Sequence, residues 1–178
     1  MPFLELLRTR RSIRRFQAKP VEQEKTDTLI EAMLRAPSSR SLNPWEFVVV
    51  TDPKIITRLA QAKPHGSAFL KDAPLAIVVC ADPQRSDVWT EDSSIASLIL
   101  HLQATDLGLG SCWIQIRLRE HDTRTSAEQV VADCIGLKKG LVVQSIIAIG
   151  YPAEEKPSHP RSSLPYDKVC FERYGWGK

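Results

Sequence analysis

Between Glu91 and Leu107 the chain carries one long helical pattern. Ser94, Ser97, His101 and Thr105 form a narrow polar stripe, and Ile95, Leu98, Ile99, Leu100 and Leu102 cover most of the remaining circumference. A helix of this kind cannot lie on the surface of an ordinary layered domain. It has to be buried nearly all round, at the domain centre or in an interface between subunits. Gly108 and Gly110 end it.

The segments around it set the fold class. Pro2 to Thr9 places Phe3, Leu6 and Leu7 at helical spacing, and Pro20 precedes a second helix from Val21 to Arg35, with Glu22 and Glu24 at its positive end. Pro37 stops that helix and opens a loop to Pro44. Glu46 to Val50 reads as a strand, Pro53 to Gln61 as a short helix, and Leu75 to Cys80 as a strand covered on both faces. Ser111 to Ile116 predicts a strand, Ser126 to Cys134 a helix and Leu141 to Ile149 another strand. The order lacks the regular alternation of a doubly wound sheet, so the expectation is α+β, as one domain over residues 1–178.

Charge is local. Residues 1–20 hold Arg8, Arg10, Arg11, Arg14, Arg15 and Lys19 against Glu5 alone, a formal +5, so the remainder of this +3 chain carries −2. A short basic cluster beside a helix suits one small anion. Arg10-Arg11-Ser12-Ile13-Arg14 combines guanidinium forks with a hydroxyl, a plausible phosphate grip, and the competing reading is a solvated helix end. The longest apolar runs, Ile95 to Leu102 and Leu141 to Ile149, fall short of the roughly twenty residues of a bilayer span. The arginines follow the apolar start instead of preceding it, against a secretory signal, so a cytoplasmic location is expected.

Other motifs point to packing. Cys80, Cys112, Cys134 and Cys170 form no Cys-x-x-Cys pair, and the four histidines never fall at metal-ligand spacing. Gly108-Leu109-Gly110 runs from helix to strand and reads as a cap and turn, not a dinucleotide fingerprint. Gly136 to Gly140 lacks the P-loop ending and reads as a loop. His101 reads as a satisfied buried histidine, and Cys112 as a packed thiol without an activating base.

Three segments gain meaning together: Arg10-Arg11-Ser12-Ile13-Arg14-Arg15-Phe16, then Ala36 to Phe47 with Pro37-Ser38-Ser39-Arg40-Ser41-Leu42-Asn43-Pro44, then Gly108-Leu109-Gly110-Ser111-Cys112-Trp113-Ile114-Gln115. They occur in the order seen in the nitroreductase superfamily of flavin enzymes. Lys156-Pro157 with Arg161 before Leu164 resembles the basic C-terminal segment of that family. The chain resembles a compact member over nearly its whole length.

The resemblance implies a three-layer α+β fold, with a central mixed, mainly antiparallel sheet flanked by helices. It also implies a homodimer with FMN at the subunit interface and NAD(P)H as hydride donor. Arg10, Ser12 and Arg161 would grip the FMN phosphate, with Arg11 and Lys156 in the same basic segments, and Arg14 would lie toward the pyrimidine end. Pro37, Ser38, Ser39, Ser41 and Asn43 would come from the second subunit; Trp113, Ile114 and Gln115 would border the ring. Ser41 and Asn43 are shorter than the Asn and Gln often found there. A flavin carries the redox chemistry, so no acid–base dyad is required of the protein.

The expected activity is ping-pong hydride transfer from NAD(P)H through flavin to a nitroaromatic, quinone or activated alkene, without nucleic-acid or membrane partners. The stretches Gln61 to Leu70 and Pro83 to Thr90 are expected to shape the acceptor pocket. Three rivals stand beside this reading. They are a specialised flavin reaction on the same fold (dehalogenation, dehydrogenation or flavin fragmentation), a flavin carrier without turnover, and a nucleic-acid module using the arginine-rich start with Trp45, Trp89 or Trp113.

Overall fold

In the computed structural model, residues 2–175 are described. The expected domain of 1–178 therefore includes residue 1 and residues 176–178, which lie outside the described residues. The helices are α1 (Phe3–Thr9), α2 (Gln23–Leu34), α3 (Pro53–Ala60), α4 (Trp89–Asp106) and α5 (Ala127–Ile135), and the strands are β1 (Trp45–Val50), β2 (Leu75–Ala81), β3 (Gly110–Gln115) and β4 (Val142–Gly150). Local chemistry starts and stops several of them. Asp52 accepts a hydrogen bond from the Lys54 amide (2.7 Å) with Pro53 in the first helical position, and Ser126 accepts one from the Gln129 amide (3.1 Å). Gly136 closes α5 in the left-handed conformation at φ 63°.

The four strands form one sheet in the order β1-β2-β4-β3, each neighbouring pair antiparallel. The one parallel pairing among the described residues is an isolated bridge, Ser12 to Ser111. The inner strands β2 and β4 are covered on both faces. On one face Val78, Ile146 and Ala148 pack against Ile56, Leu59 and Val131 of α3 and α5; on the other Leu75, Ile77 and Ile147 meet Leu29, Met33 and Leu100 of α2 and α4. Helices, sheet and helices make the three layers.

Helix α4 is not covered all round within the single chain. Its polar stripe points inward: Ser97 is fully buried and His101 nearly so, while Ile95 is 40% and Leu98 50% exposed. Periodicity located the stripe correctly, but a helix covered on several sides does not reveal which face meets its own sheet. The helix also begins two residues earlier than Glu91, at Trp89.

An irregular segment closes one end of the sheet. Residues 12–17 form a strap across the end where β3 starts and β4 finishes. Gly110 and Gly150 are register partners there. A Cβ on Gly110 would sit 2.8 Å from Ile13, and one on Gly150 2.5 Å from Pro74 and 3.1 Å from Phe16. The two missing side chains make the seat for Ile13 and Phe16, both buried, each worth about 1.5–3 kcal/mol of apolar burial.

Candidate functional site

The strap is fixed by main-chain bonds. Ile13 donates to the Ser111 carbonyl (3.0 Å), Gln17 to that of Tyr151 (2.9 Å), and Ala153 to that of Arg15 (2.8 Å). Glu154 caps it, its carboxylate accepting from the amides of Arg14 (2.6 Å) and Arg15 (3.2 Å). Those bonds hold the Glu154 carboxyl below its usual range, with the Arg14 amide first among the causes. Lys156 donates its ammonium to the Ser12 carbonyl (2.6 Å) and pairs with Glu154 at 3.2 Å. Of the expected binding residues, Lys156 is thus committed to holding the strap.

This geometry brings the two basic ends of the chain together. Arg10 and Arg161 line one cavity of about 630 Å³, with Leu4, Leu7, Leu164 and Tyr166 as its apolar and aromatic wall. Arg161 donates from Nε to the Tyr166 hydroxyl (3.2 Å). Arg11 and Ser12 are half-buried at the strap's start, and the Arg14 guanidinium lies over the Phe69 ring at 5.8 Å.

Beneath the strap, His101 Nδ1 shares a hydrogen bond with the Ser111 hydroxyl at 2.7 Å, and its ring stacks near Trp113. Burial, with the Arg10 charge as a second cause, lowers the His101 pKa to about 4, so the imidazole is neutral at pH 7. Cys112 is buried, and desolvation raises its thiol pKa despite the opposing pull of Arg14 and Lys156. Burial likewise pushes Cys80 up to about 12. Both behave as packed thiols.

Strand β3 is an edge of the sheet. Trp113 donates from Nε1 to Gln115 Oε1 (2.9 Å), and Gln115 donates from Nε2 to the Arg117 carbonyl (2.8 Å). Both face the α4 side. Ile114 does not: its side chain is 1% exposed, in the core with Ile116 and Val131 on the opposite face. Any contact from Ile114 to a ligand has to come through its main chain.

The serine loop lies elsewhere. Pro37 is exposed, Ser39 to Ser41 make a single 3-10 turn, and Arg40, Ser41 and Asn43 have φ of 53°, 54° and 47°. That conformation favours Asn or Gly, so the family's usual Asn suits position 41 better than Ser does. The Ser38 hydroxyl closes the loop, donating to Asn43 Oδ1 (2.7 Å) and accepting from the Asn43 amide (2.9 Å). Trp45, just after it, pairs with Ala81 at one end of the sheet, whereas Ser111 pairs with Ile149 at the other. Serine loop and strap therefore sit on opposite edges and at opposite ends of one sheet, separated on the order of 20 Å.

Helix α4 connects them. Near its start Asp92 accepts from the Ser39 amide (2.8 Å) and the Ser86 hydroxyl (3.2 Å), and farther along His101 meets Ser111 under the strap. Residues 61–72 form turns and a 3-10 stretch, and Trp89 stacks under the Arg117 guanidinium at 5.3 Å. Sequence reasoning missed Asp92 and Glu154, because an acid in a first helical turn or after a strand looks like any solvated acid. It read Gly110 as a turn residue; the pairing with Gly150 that makes it a seat is visible only in three dimensions. Among the described residues no helix is long and apolar enough to cross a membrane, and no group of three His, Cys, Asp or Glu could hold a metal.

Known proteins are similar to this chain in sequence and fold. The family model described as the nitroreductase family matches residues 7–66 and 59–151. A solved FMN-dependent nitroreductase from Clostridium difficile R20291 is 45% identical with a TM-score of 0.95, over 96% of this chain and 99% of that one. An NADPH-flavin oxidoreductase from Vibrio harveyi is 33% identical over 95% of this chain and 72% of its own. An NADH dehydrogenase from Thermus thermophilus is 30% identical over 92% of each.

Proposed function

The chain belongs to the nitroreductase family, and from that premise we propose that it is an FMN-dependent NAD(P)H oxidoreductase acting as a homodimer. Its acceptors are nitroaromatics, quinones or activated alkenes, taken in a ping-pong order in which oxidised nicotinamide leaves before the acceptor enters. The observation that carries this reading is the convergence of Arg10 and Arg161, from opposite ends of the chain, on one cavity with an apolar and aromatic wall. Two guanidiniums beside such a wall are a donor set that fits a phosphate-bearing aromatic cofactor.

Bound FMN supplies a two-electron carrier between nicotinamide and acceptor. Arg10, Ser12 and Arg161 would hold its phosphate, and Arg11 would add positive potential. Arg14 would supply a cation near the pyrimidine end of such a cofactor, where it would favour an anionic form. Trp113 and Gln115 would border the ring from β3, with Ile114 contributing main chain only. Because Pro37, Ser38, Ser39, Ser41 and Asn43 occupy the opposite edge of the sheet, a site that uses them together with Arg10 takes them from a second copy. The exposed Ile95 and Leu98, and the exposed Phe3, Leu4 and Leu7 of α1, are surfaces suited to that copy. Holding His101 neutral avoids a buried cation beside Arg10.

The test is the visible spectrum of the purified protein, with release of the chromophore on denaturation. FMN at one per chain is expected, together with NAD(P)H oxidation that a quinone accelerates. Arg10→Ala and Arg161→Ala should each weaken FMN binding roughly tenfold or more, as loss of a charge-assisted contact of about 1.5–3 kcal/mol requires. A colourless protein that does not take up added FMN would overturn the reading.

A further inference from the structure

Asp92 is a carboxylate with 3% exposure inside the molecule. No Lys, Arg or His pairs with it among the described residues. Its charge is accommodated by two donors, the Ser39 amide on one oxygen (2.8 Å) and the Ser86 hydroxyl on the other (3.2 Å), and by its place in the first turn of α4, where the helix N-terminus favours an anion. A buried carboxylate accepts that cost only where its geometry is well satisfied.

The donors belong to two different segments. Ser39 begins the 3-10 turn of the serine loop, which holds three non-glycine residues at positive φ and would relax toward ordinary conformations if released. Ser86 lies in the stretch leading to Trp89, whose ring stacks with Arg117 beside the Gln115 end of β3. The loop's other tie to this stretch, Arg40 with Asp87, is exposed on both sides and correspondingly weak. One buried anion therefore fixes both segments to a rigid 18-residue helix.

We propose that Asp92 is a positioning residue of the flavin site: it holds the serine loop in its left-handed, binding-ready shape and couples that shape to the segment before α4. It touches neither cofactor nor substrate itself. The inference rests on the proposed function, since it assigns the serine loop to FMN. It adds a dependence that no site residue displays alone, namely that the order of the loop in the free protein sets cofactor affinity.

The experiment compares the parent holoprotein with Asp92→Asn, Asp92→Ala and the milder Ser86→Ala. FMN affinity is read by fluorescence recovery on dilution, and loop order by hydrogen exchange of the Ser39 amide. The expected order of loss is Ser86→Ala, then Asp92→Asn, then Asp92→Ala, with FMN dissociation constants rising roughly tenfold or more for Asp92→Ala. The exchange rate of Ser39 should rise in the same order, and the flavin absorption envelope should broaden as the bound ring meets more solvent. Ser86→Ala keeps the carboxylate and its Ser39 bond, so it reports even if both Asp92 variants fail to fold. Faster Ser39 exchange with unchanged FMN affinity would overturn the positioning role and leave the cofactor assignment standing. A parent protein that binds no FMN would overturn both, and that outcome is distinguished by the parent alone.

Discussion

The strap and the C-terminal tail both carry basic residues to the same cavity, yet they are held in opposite ways. In the strap Ile13 and Phe16 are buried, and main-chain bonds tie it to Ser111, Tyr151 and Ala153. In the tail every residue from 157 to 175 is exposed, including Leu164, Tyr166, Val169 and Phe171, and its main-chain hydrogen bonds are local ones such as Ser163 to Pro160 and Lys168 to Pro165. The strap is completed by its own chain. The tail has the apolar side chains of a packed segment without the packing, which is what a segment covered by a second copy looks like when one copy is viewed alone.

The largest effect is expected from removing the tail after Lys156. No tail residue from 157 to 175 contributes to the core, so the shortened chain should keep its secondary structure and unfold cooperatively. It should bind FMN more weakly than Arg161→Ala does, through joint loss of Arg161 and of the Leu164 and Tyr166 wall, and should sediment as a monomer. Circular dichroism, a flavin titration and sedimentation check the three parts. Loss of the fold itself would erase the distinction between the two regions.

How far the sequence reveals these regions differs in the same way. The β-branched runs at Leu75 to Cys80 and Leu141 to Ile149 predict the two buried strands within a residue or two, because full coverage leaves a continuous apolar signature. The two basic segments are identified as partners through resemblance, and Arg10 and Arg161 line one cavity. What stayed hidden depends on contacts distant in sequence. Glu154 caps amides 139 and 140 positions away, Asp92 meets Ser39 across 53 positions, and Gly110 yields space to Ile13. The inward polar face of α4 was hidden as well, since periodicity gives the spacing of a stripe and not its partner.

A pH titration sharpens the strap side of the comparison. His101 has a pKa of about 4 in the folded protein and 6.5 as its ordinary value, so between these the unfolded chain binds the extra proton. Its burial therefore costs nothing above pH 6.5. Stability should fall as pH drops through the window from 6.5 to 4, by at most about 3.5 kcal/mol at about 1.4 kcal/mol per unit. His101→Gln should flatten that part of the profile, measured by denaturant unfolding at each pH; an unchanged profile would show that His101 is not the group responsible.

A smaller loss is expected from Gly150→Ala, whose Cβ would meet Pro74 at 2.5 Å and Phe16 at 3.1 Å. Overpacking of this kind costs about 1–3 kcal/mol. Pro74→Ala in the same chain should recover part of it. Equal stability of parent and single variant would remove the glycine seat from the account of the strap.

Thiol chemistry gives the mildest test, with no change in stability. Cys112 and Cys80 are buried, with desolvation raising both thiols, and should resist an aromatic disulfide reagent in the native state. Cys170 is exposed in the tail and should react. Its reaction should slow as protein concentration rises if, as proposed, a second copy covers the tail; a rate independent of concentration would contradict that cover.

The central claim is that the strap of one copy and the serine loop of another close on one flavin. Sedimentation of the holoprotein at falling concentration, followed by the visible absorbance of flavin, tests it directly. The account predicts that flavin colour travels only with a species of twice the 20.0 kDa chain mass and appears as free, slow material once that species dissociates. Flavin colour sedimenting stoichiometrically with the 20.0 kDa monomer would contradict it.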